Sequence, residues 1–297
     1  MISRLLLHFL LLAALSPLLA GVITRTKALV AGRRGAPLLQ LYFDLARLFK
    51  KGMVLSTTTT WVFRAGPFFA VVVPLIAMLF IPFGGIAAPF SFSGDFVFLA
   101  YLFGLARFFT ILAALDTGSS FEGMGAAREA TFSCLAEPTL FIIFVVLARL
   151  TGGLTLDTML AASGAGAPLL LSGVCLFVII LAENCRIPFD DPNTHLALTM
   201  IHEVMVLDHS GPDFGLILYG AAMKLFVLGA LLADLLLPPA SGSLLLDAAL
   251  FGAAMLALAA VIGLVESVMA RLRLPRVPQL LVGTSLLSFF SLILLLR

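Results

Sequence analysis

Three histidines, His195, His202 and His209, follow one another at seven-residue intervals within ENCRIPFDDPNTHLALTMIHEVMVLDHSGPDF, residues 183–214. The same stretch holds six of the chain's sixteen acidic residues, among them Glu183, Asp190, Asp191, Glu203 and Asp208. Pro188 and Pro192 bracket an irregular segment. Asn193 or Thr194 can then cap a helix that runs to His209 and stops at Ser210-Gly211-Pro212. A seven-residue step nearly repeats the helical phase. The histidines would therefore form one ridge, opposite an apolar stripe of Ala197, Met200, Ile201, Val204 and Met205. Successive members then stand about 10.5 Å apart, too far to share one ion through bonds of ~2 Å. The zincin motif fails as well, because His202-Glu203 leads to Val206 where a second histidine is required. No metal site is expected. Histidine titrates near neutral pH, so the ridge reads as a proton-transfer or partner-contact surface, or as solvated helix histidines.

Ionisable side chains also stand inside apolar runs, where their cost makes a functional role the default reading. Arg107 lies past the middle of one run. Glu137 stands roughly 9 Å into the next and Lys224 roughly 14 Å into another, at ~1.5 Å per residue. Glu183 and Glu266 close two further runs on the same side, whereas Asp234 belongs to the other half. Such charges either pair for structural reasons or line a hydrated half-channel. In the second case Glu137, Glu183, Asp190, Asp191, Glu203 and Asp208 form an acidic route. Desolvation raises the pKa values along it, and Arg107 or Lys224 lowers them.

These residues need a scaffold, and composition names its class. Of the 297 residues, 61% are hydrophobic and only 11% charged, against about a quarter charged in soluble domains. Apolar runs of about 18 residues or more cross a bilayer as helices. The expectation is an all-α polytopic membrane protein forming a single membrane domain over 1–297. Its eight spans lie near 5–23, 67–83, 96–115, 131–150, 169–182, 215–237, 244–265 and 279–296. The first run is followed at once by Arg25, Lys27, Arg33 and Arg34, which marks a retained span rather than a cleaved leader.

The connection 24–65 carries eight of the eighteen lysines and arginines, and the connections 84–95, 151–168 and 238–243 carry none. The positive-inside rule then places 24–65 and 183–214 in the cytoplasm and both termini outside. Within the first connection, Gln40–Lys51 sets Leu41, Leu45, Leu48 and Phe49 on one face. That pattern suits an amphipathic helix in the membrane interface, or one packed on neighbouring spans. The net charge of +2 and the lack of a basic binding module argue against nucleic acid. Cys134, Cys175 and Cys185 are isolated, without CxxC, so the chain has no ligand set for an iron–sulfur cluster or c-type haem. No internal repeat is evident, which argues against a stand-alone secondary ion transporter of the inverted-repeat type.

Four segments together carry a resemblance: RRGAPLLQLYFDLARLFKK (33–51), ARFFTILAALDTGSSFEGMGAAREA (106–130), ENCRIPFDDPNTHLALTMIHEVMVLDHSGPDFGLILYGAAMKLF (183–226) and ESVMARLRLPRVP (266–278). The chain resembles the subunit 1 family of respiratory complex I, and within it the branch of energy-converting group 4 nickel–iron hydrogenases such as formate hydrogenlyase and hydrogenase-4. The resemblance implies a non-catalytic membrane subunit of an oxidoreductase complex in a prokaryotic cytoplasmic (inner) membrane. Such a subunit anchors a soluble electron-transfer arm and links its redox chemistry to proton or sodium translocation. The implied partners are hydrogenase-like large and small subunits, an iron–sulfur protein and antiporter-like membrane subunits. The nickel–iron centre and the clusters would sit in those partners, and this chain would bind no cofactor of its own.

Arg33, Arg34, Gly35 and Asp44 match the family's first connection, Glu137 its span-four acid, and Glu183, Arg186, Pro188 and Asp190 the start of its fifth connection. Arg33, Arg34, Gly35, Asp44, Arg186, His195, His202 and His209 are thereby candidates for partner docking or a quinone-like cavity. The quinone-reducing branch carries a glutamate-rich run where this chain reads DDPNTHLAL, with Asn193, His195 and Ala197 in place of carboxylates. The first connection is also shortened to RRGAPLLQ. Both departures favour the hydrogenase branch over a quinone-channel subunit.

Overall fold

The computed structural model describes residues 2–161, 166–190, 200–237 and 243–296. Asp191 and His195 lie outside the described residues. Within those residues ten α-helices follow in order: α1 (Ile2–Val30), α2 (Gln40–Leu48), α3 (Trp61–Ala77), α4 (Asp95–Asp116), α5 (Ser120–Thr151), α6 (Leu156–Leu160), α7 (Ala167–Glu183), α8 (Gly211–Leu236), α9 (Leu244–Val268) and α10 (Val277–Leu296). Seven of them are long and apolar enough to cross a membrane, and α7 is a shorter apolar helix of the same kind. The eight hydropathic runs thus correspond to eight helices, and the described residues contain no strand.

α8 is the hub. Of its most apolar window 72% is buried, against 22% in α4 and in α10. It packs against α1, α3, α7 and α9. Between apolar helices in lipid there is little hydrophobic drive, so close backbone approach has to supply the attraction. Gly220 of α8 supplies it at the contact with α3, because a Cβ there would run into the Ala70 carbonyl. At one end of the bundle Phe83, Phe226 and Phe251 pack ring against ring with His8 of α1. The other end, the basic end, carries α2 and the lysine- and arginine-rich connections.

Two helix starts at the basic end are built by their neighbours. Thr60 caps α3, its hydroxyl accepting from the Val62 amide. Asp116, which closes α4, accepts from the Thr60 amide at 2.6 Å and the Phe63 amide at 3.2 Å. Those amides begin a helix and have no partners within it. α5 starts at Ser120, well before the apolar run near 131, so its first turns project past the span. They form a shelf for the chain around 200–208. Gly125 leaves room for the Ile201 carbonyl, which a Cβ would approach to 3.0 Å. Arg128 donates to the Met200 carbonyl at 2.7 Å, and buried Glu122 accepts from the Asp208 amide at 3.0 Å.

That shelf corrects the helix expected up to His209. In the described part, 200–209, the chain makes only a short 3₁₀ turn, Glu203–Val206. Asp190 accepts from the Ile201 amide at 2.9 Å and the His202 amide at 3.3 Å. Side chains of α5 take up further groups of the same segment. With its polar backbone groups satisfied from outside, the segment has no need of an α-helical ladder. His202 and His209 therefore do not share a helical face. His209 is 7% exposed, its ring stacked on Phe63 at 3.9 Å, while His202 turns toward the site described next.

Candidate functional site

Four of the charged residues singled out within apolar runs meet in one cluster at the basic end. Arg107 comes from α4, Glu137 from α5, Glu183 from the last turn of α7 and Lys224 from α8. The Arg107 guanidinium is the shared member. Its Nη2 donates to both Glu183 oxygens at 2.6 and 2.8 Å, and its Nη1 donates to Glu137. A fifth residue, Glu129 of α5, stands 3.6 Å from Arg107 Nε as an ion pair. Lys224 Nζ donates to the Glu183 carboxylate at 2.8 Å and to the Glu183 carbonyl at 2.7 Å. A carboxylate at a helix C-terminus opposes the helix dipole. Lys224 offsets that by supplying a positive charge and by capping a terminal carbonyl.

Burial divides these residues. The side chains of Arg107, Glu183 and Glu129 keep 9%, 11% and 12% of their exposure, whereas Glu137 keeps 48%. Three carboxylates around two cations leave one formal negative charge, held largely out of water. One carboxylate of the set, Glu137, faces outward from the wall of a span. It is followed by Pro138, which has no N–H to bond the Cys134 carbonyl one turn back. The helix is therefore locally more polar beside Glu137 than its sequence of apolar residues suggests.

The remaining candidates are placed elsewhere. Asp190 is 2% exposed and paired with Arg271 at 2.8 Å, in addition to holding the Ile201 and His202 amides. Arg186 lies 3.5 Å from buried Glu266, whose other oxygen meets Lys27 at 2.8 Å. Asp208 is exposed, and Glu203 lines a cavity. Arg33 and Arg34 are exposed, and Arg25 donates to the Arg34 carbonyl. Gly35 adopts a φ of 62°. Asp44 accepts from Gln40 within α2 at 2.9 Å.

The cavity that Glu203 lines has a volume of about 490 Å³ and opens between α1, α2, α8 and the segments 184–190 and 202–209. Leu41, Phe214, Ile217 and Leu225 make its apolar walls, and Asn184, Arg186, Asp190 and His202 its polar ones. A smaller one of about 80 Å³ runs from Cys185 and His202 past Glu183 and Lys224 to Arg107. Cys185 and His202 line both cavities, and the smaller one, apolar over most of its wall, brings the charge cluster beside them.

Sequence reading missed Glu129 and Cys185. Glu129 precedes Glu137 by two steps of four along one helix, which puts both on the same side of α5, but it falls outside the apolar run. Cys185 follows α7 in a left-handed conformation, φ 51°. Burial and the neighbouring Glu129 and Asp190 carboxylates push its thiol well above the usual range. Burial lowers the His202 pKa, and it lowers that of His209 to about 4. His209 is therefore a neutral packing ring at physiological pH.

An all-helical bundle with a shared guanidinium among membrane carboxylates defines a polytopic membrane protein with an internal ion-pair cluster. Residues 2–296 match the NADH dehydrogenase family, and the chain belongs to that family. It is 32% identical over 303 residues to formate hydrogenlyase subunit 4 of Escherichia coli (strain K12), covering 97% of both chains. It is 34% identical to hydrogenase-4 component C of the same organism over 76% of this chain and 72% of the relative. The fold is shared across 99% of both chains, at a TM-score of 0.84 and 20% identity, with a chain in the structure of the membrane-bound sulfane sulfur reductase, an archaeal respiratory membrane complex.

Proposed function

We propose that the chain is the membrane-anchoring and coupling subunit of a respiratory-type hydrogenase complex of the formate hydrogenlyase kind. In this reading it links redox chemistry in a docked soluble arm to proton or sodium movement in neighbouring antiporter-like subunits. The nickel–iron centre and iron–sulfur clusters belong to partner subunits. The similarity to formate hydrogenlyase subunit 4 over 97% of both chains supports the complex. The observation that carries the coupling role is the Arg107 bridge. It joins Glu183, which lines the smaller cavity, to Glu137, which is 48% exposed on a span. A carboxylate facing hydrocarbon is costly, so Glu137 fits a surface covered by another membrane subunit.

The relay works by competition for one guanidinium. Protonation of Glu183 weakens its hold on Arg107, which then pairs more fully with Glu137 or Glu129. Charge arriving from the soluble arm at the basic end is thereby passed toward the partner-facing acid. Lys224 anchors Glu183 by binding both its carboxylate and its carbonyl. The connections at the basic end, with exposed Arg33 and Arg34, suit docking of the arm on the cytoplasmic side.

Glu137→Gln and Glu183→Gln complexes are expected to assemble and evolve hydrogen while translocating fewer ions per turnover, measured in inverted vesicles. Full coupling in both variants sinks the relay. One observation favours a second reading, a quinone-channel subunit. The cavity of about 490 Å³ is of ligand size and mostly apolar. A photoreactive quinone that labels Leu41 or Phe214 would establish that reading.

A further inference from the structure

We propose that Glu129, Cys185 and His202 form a binding site for a borderline-soft divalent transition metal, zinc foremost. One carboxylate oxygen, the cysteine Sγ and one imidazole nitrogen all lie within 4.8 Å of one another. A tetrahedral zinc with bonds of ~2.0–2.3 Å separates its ligands by roughly 3.3–3.8 Å. Side-chain rotations of about an ångström therefore close the site. The three groups come from α5, the turn after α7 and the 200–209 connection, and the backbone of each is fixed independently of a metal. The last is held at its start by Asp190 and Arg128.

A second observation points to a ligand. His202 Nδ1 is shielded from solvent and has no hydrogen-bond partner among the described residues. His209 Nδ1 is unsatisfied too, but only the His202 ring stands beside a cysteine and a carboxylate, so its free nitrogen has candidate co-ligands around it. Glu129 is the least tightly held acid of the cluster, its ion pair with Arg107 Nε spanning 3.6 Å without a hydrogen bond. The donor set selects the metal. A sulfur ligand excludes calcium and magnesium, which take oxygen. One thiolate, one imidazole and one carboxylate leave a fourth position for water, the pattern of three-ligand zinc sites.

Charge agrees with this choice. A coordinating thiol loses its proton, so a dication and a thiolate add one positive charge. That cancels the single formal negative charge of the Arg107 cluster. The route in is the cavity of about 490 Å³, which both Cys185 and His202 line. Occupancy would draw Glu129 away from Arg107 and staple three elements together, so the bound metal would restrain the relay. The site belongs to this chain alone and stands whichever soluble arm docks.

The test uses the intact purified complex, stripped with a chelator and alkylated by iodoacetamide with and without prior Zn²⁺. The metal-free complex is expected to label Cys185 through the cavity it lines, and a Cys185 that stays unlabelled there overturns that route and the site with it. Each cysteine is read by peptide mass spectrometry. Zn²⁺ is expected to suppress labelling of Cys185 and to leave Cys134, exposed on α5, labelled as before. His202→Gln and Glu129→Gln should each raise the Zn²⁺ concentration needed by at least the ~100-fold that losing a residue that merely orients a ligand can cost. Should one variant fail to assemble, the other decides. Unprotected Cys185 in the wild-type complex, or protection undiminished in whichever variants assemble, overturns the site.

Discussion

Asp234 and Glu183 are both largely buried carboxylates on membrane helices, at opposite ends of the bundle, and they are satisfied in different ways. Asp234 accepts from one backbone amide, Gly84, at 2.7 Å. Its neighbours at that end behave alike, with Asp95 accepting from the Leu156 amide at 2.7 Å and Asp157 from the Ala88 amide at 3.3 Å. Glu183 instead shares Arg107 with Glu137 and Glu129 and shares Lys224 with a helix terminus. An amide cannot leave its acid without breaking the turn that presents it. A guanidinium held by three acids can redistribute among them with little change in backbone. One end uses carboxylates to fix loops, and the other gathers them around shared cations.

The sharpest way to break this comparison is to remove the shared cation. Arg107→Met leaves three carboxylates facing one lysine, and loss of one partner from a buried ion pair costs about 3–5 kcal/mol. The variant complex should show a large drop in thermal midpoint, or fail to accumulate, as read by native gel and heat-induced dissociation. A midpoint like that of wild type would mean that the cluster is more hydrated than its burial implies.

His209 sharpens the comparison from a second side, as a histidine at the basic end that carries no charge. Its pKa of about 4 in the fold lies below the ordinary 6.5, so the unfolded chain takes up the proton first as pH falls. The stability this neutral ring contributes is complete above pH 6.5 and declines as pH drops to about 4. The total loss is on the order of 3 kcal/mol. His209→Phe keeps a ring on Phe63 and should flatten the dependence of thermal midpoint on pH in that window, without changing ion coupling. An unchanged slope would place the acid sensitivity elsewhere.

The hydropathic runs and the charges inside them were legible because both rest on a cost the membrane imposes locally. Eight apolar runs became eight helices, and Arg107, Glu137, Glu183 and Lys224 stood out as expensive residues before any contact was known. The 200–209 connection was not legible. Its heptad of histidines suggested a helix, but Asp190, Glu122 and Arg128 claim its backbone from outside, and tertiary bonds override a weak local preference. Glu129 was missed because α5 outruns its apolar window. The meeting of Glu129, Cys185 and His202 has no motif, since three distant segments bring it about.

Packing at the hub tests whether the scaffold or the charges set the cluster's geometry. Gly220→Ala places a methyl against the Ala70 carbonyl and should separate α8 from α3, costing about 1–3 kcal/mol as overpacking does. Lys224 rides on α8 one turn further along, so coupling should fall together with thermal midpoint. Loss of stability with coupling intact would show that Lys224 adapts to the shift.

Asp234→Asn should have the smallest effect, and it closes the comparison. The amide oxygen of asparagine can accept from the Gly84 N–H as the carboxylate does, so the turn keeps its anchor. A neutral acceptor in place of a charged one weakens the bond by about 1 kcal/mol. The variant should lose only a few degrees of thermal midpoint and keep full ion translocation per hydrogen evolved. The equivalent exchange at Glu183 should abolish most of that translocation, although it too preserves an oxygen. If Asp234→Asn uncouples the complex as strongly, the acids at that end carry charge as well, and the division between fixed and mobile carboxylates fails.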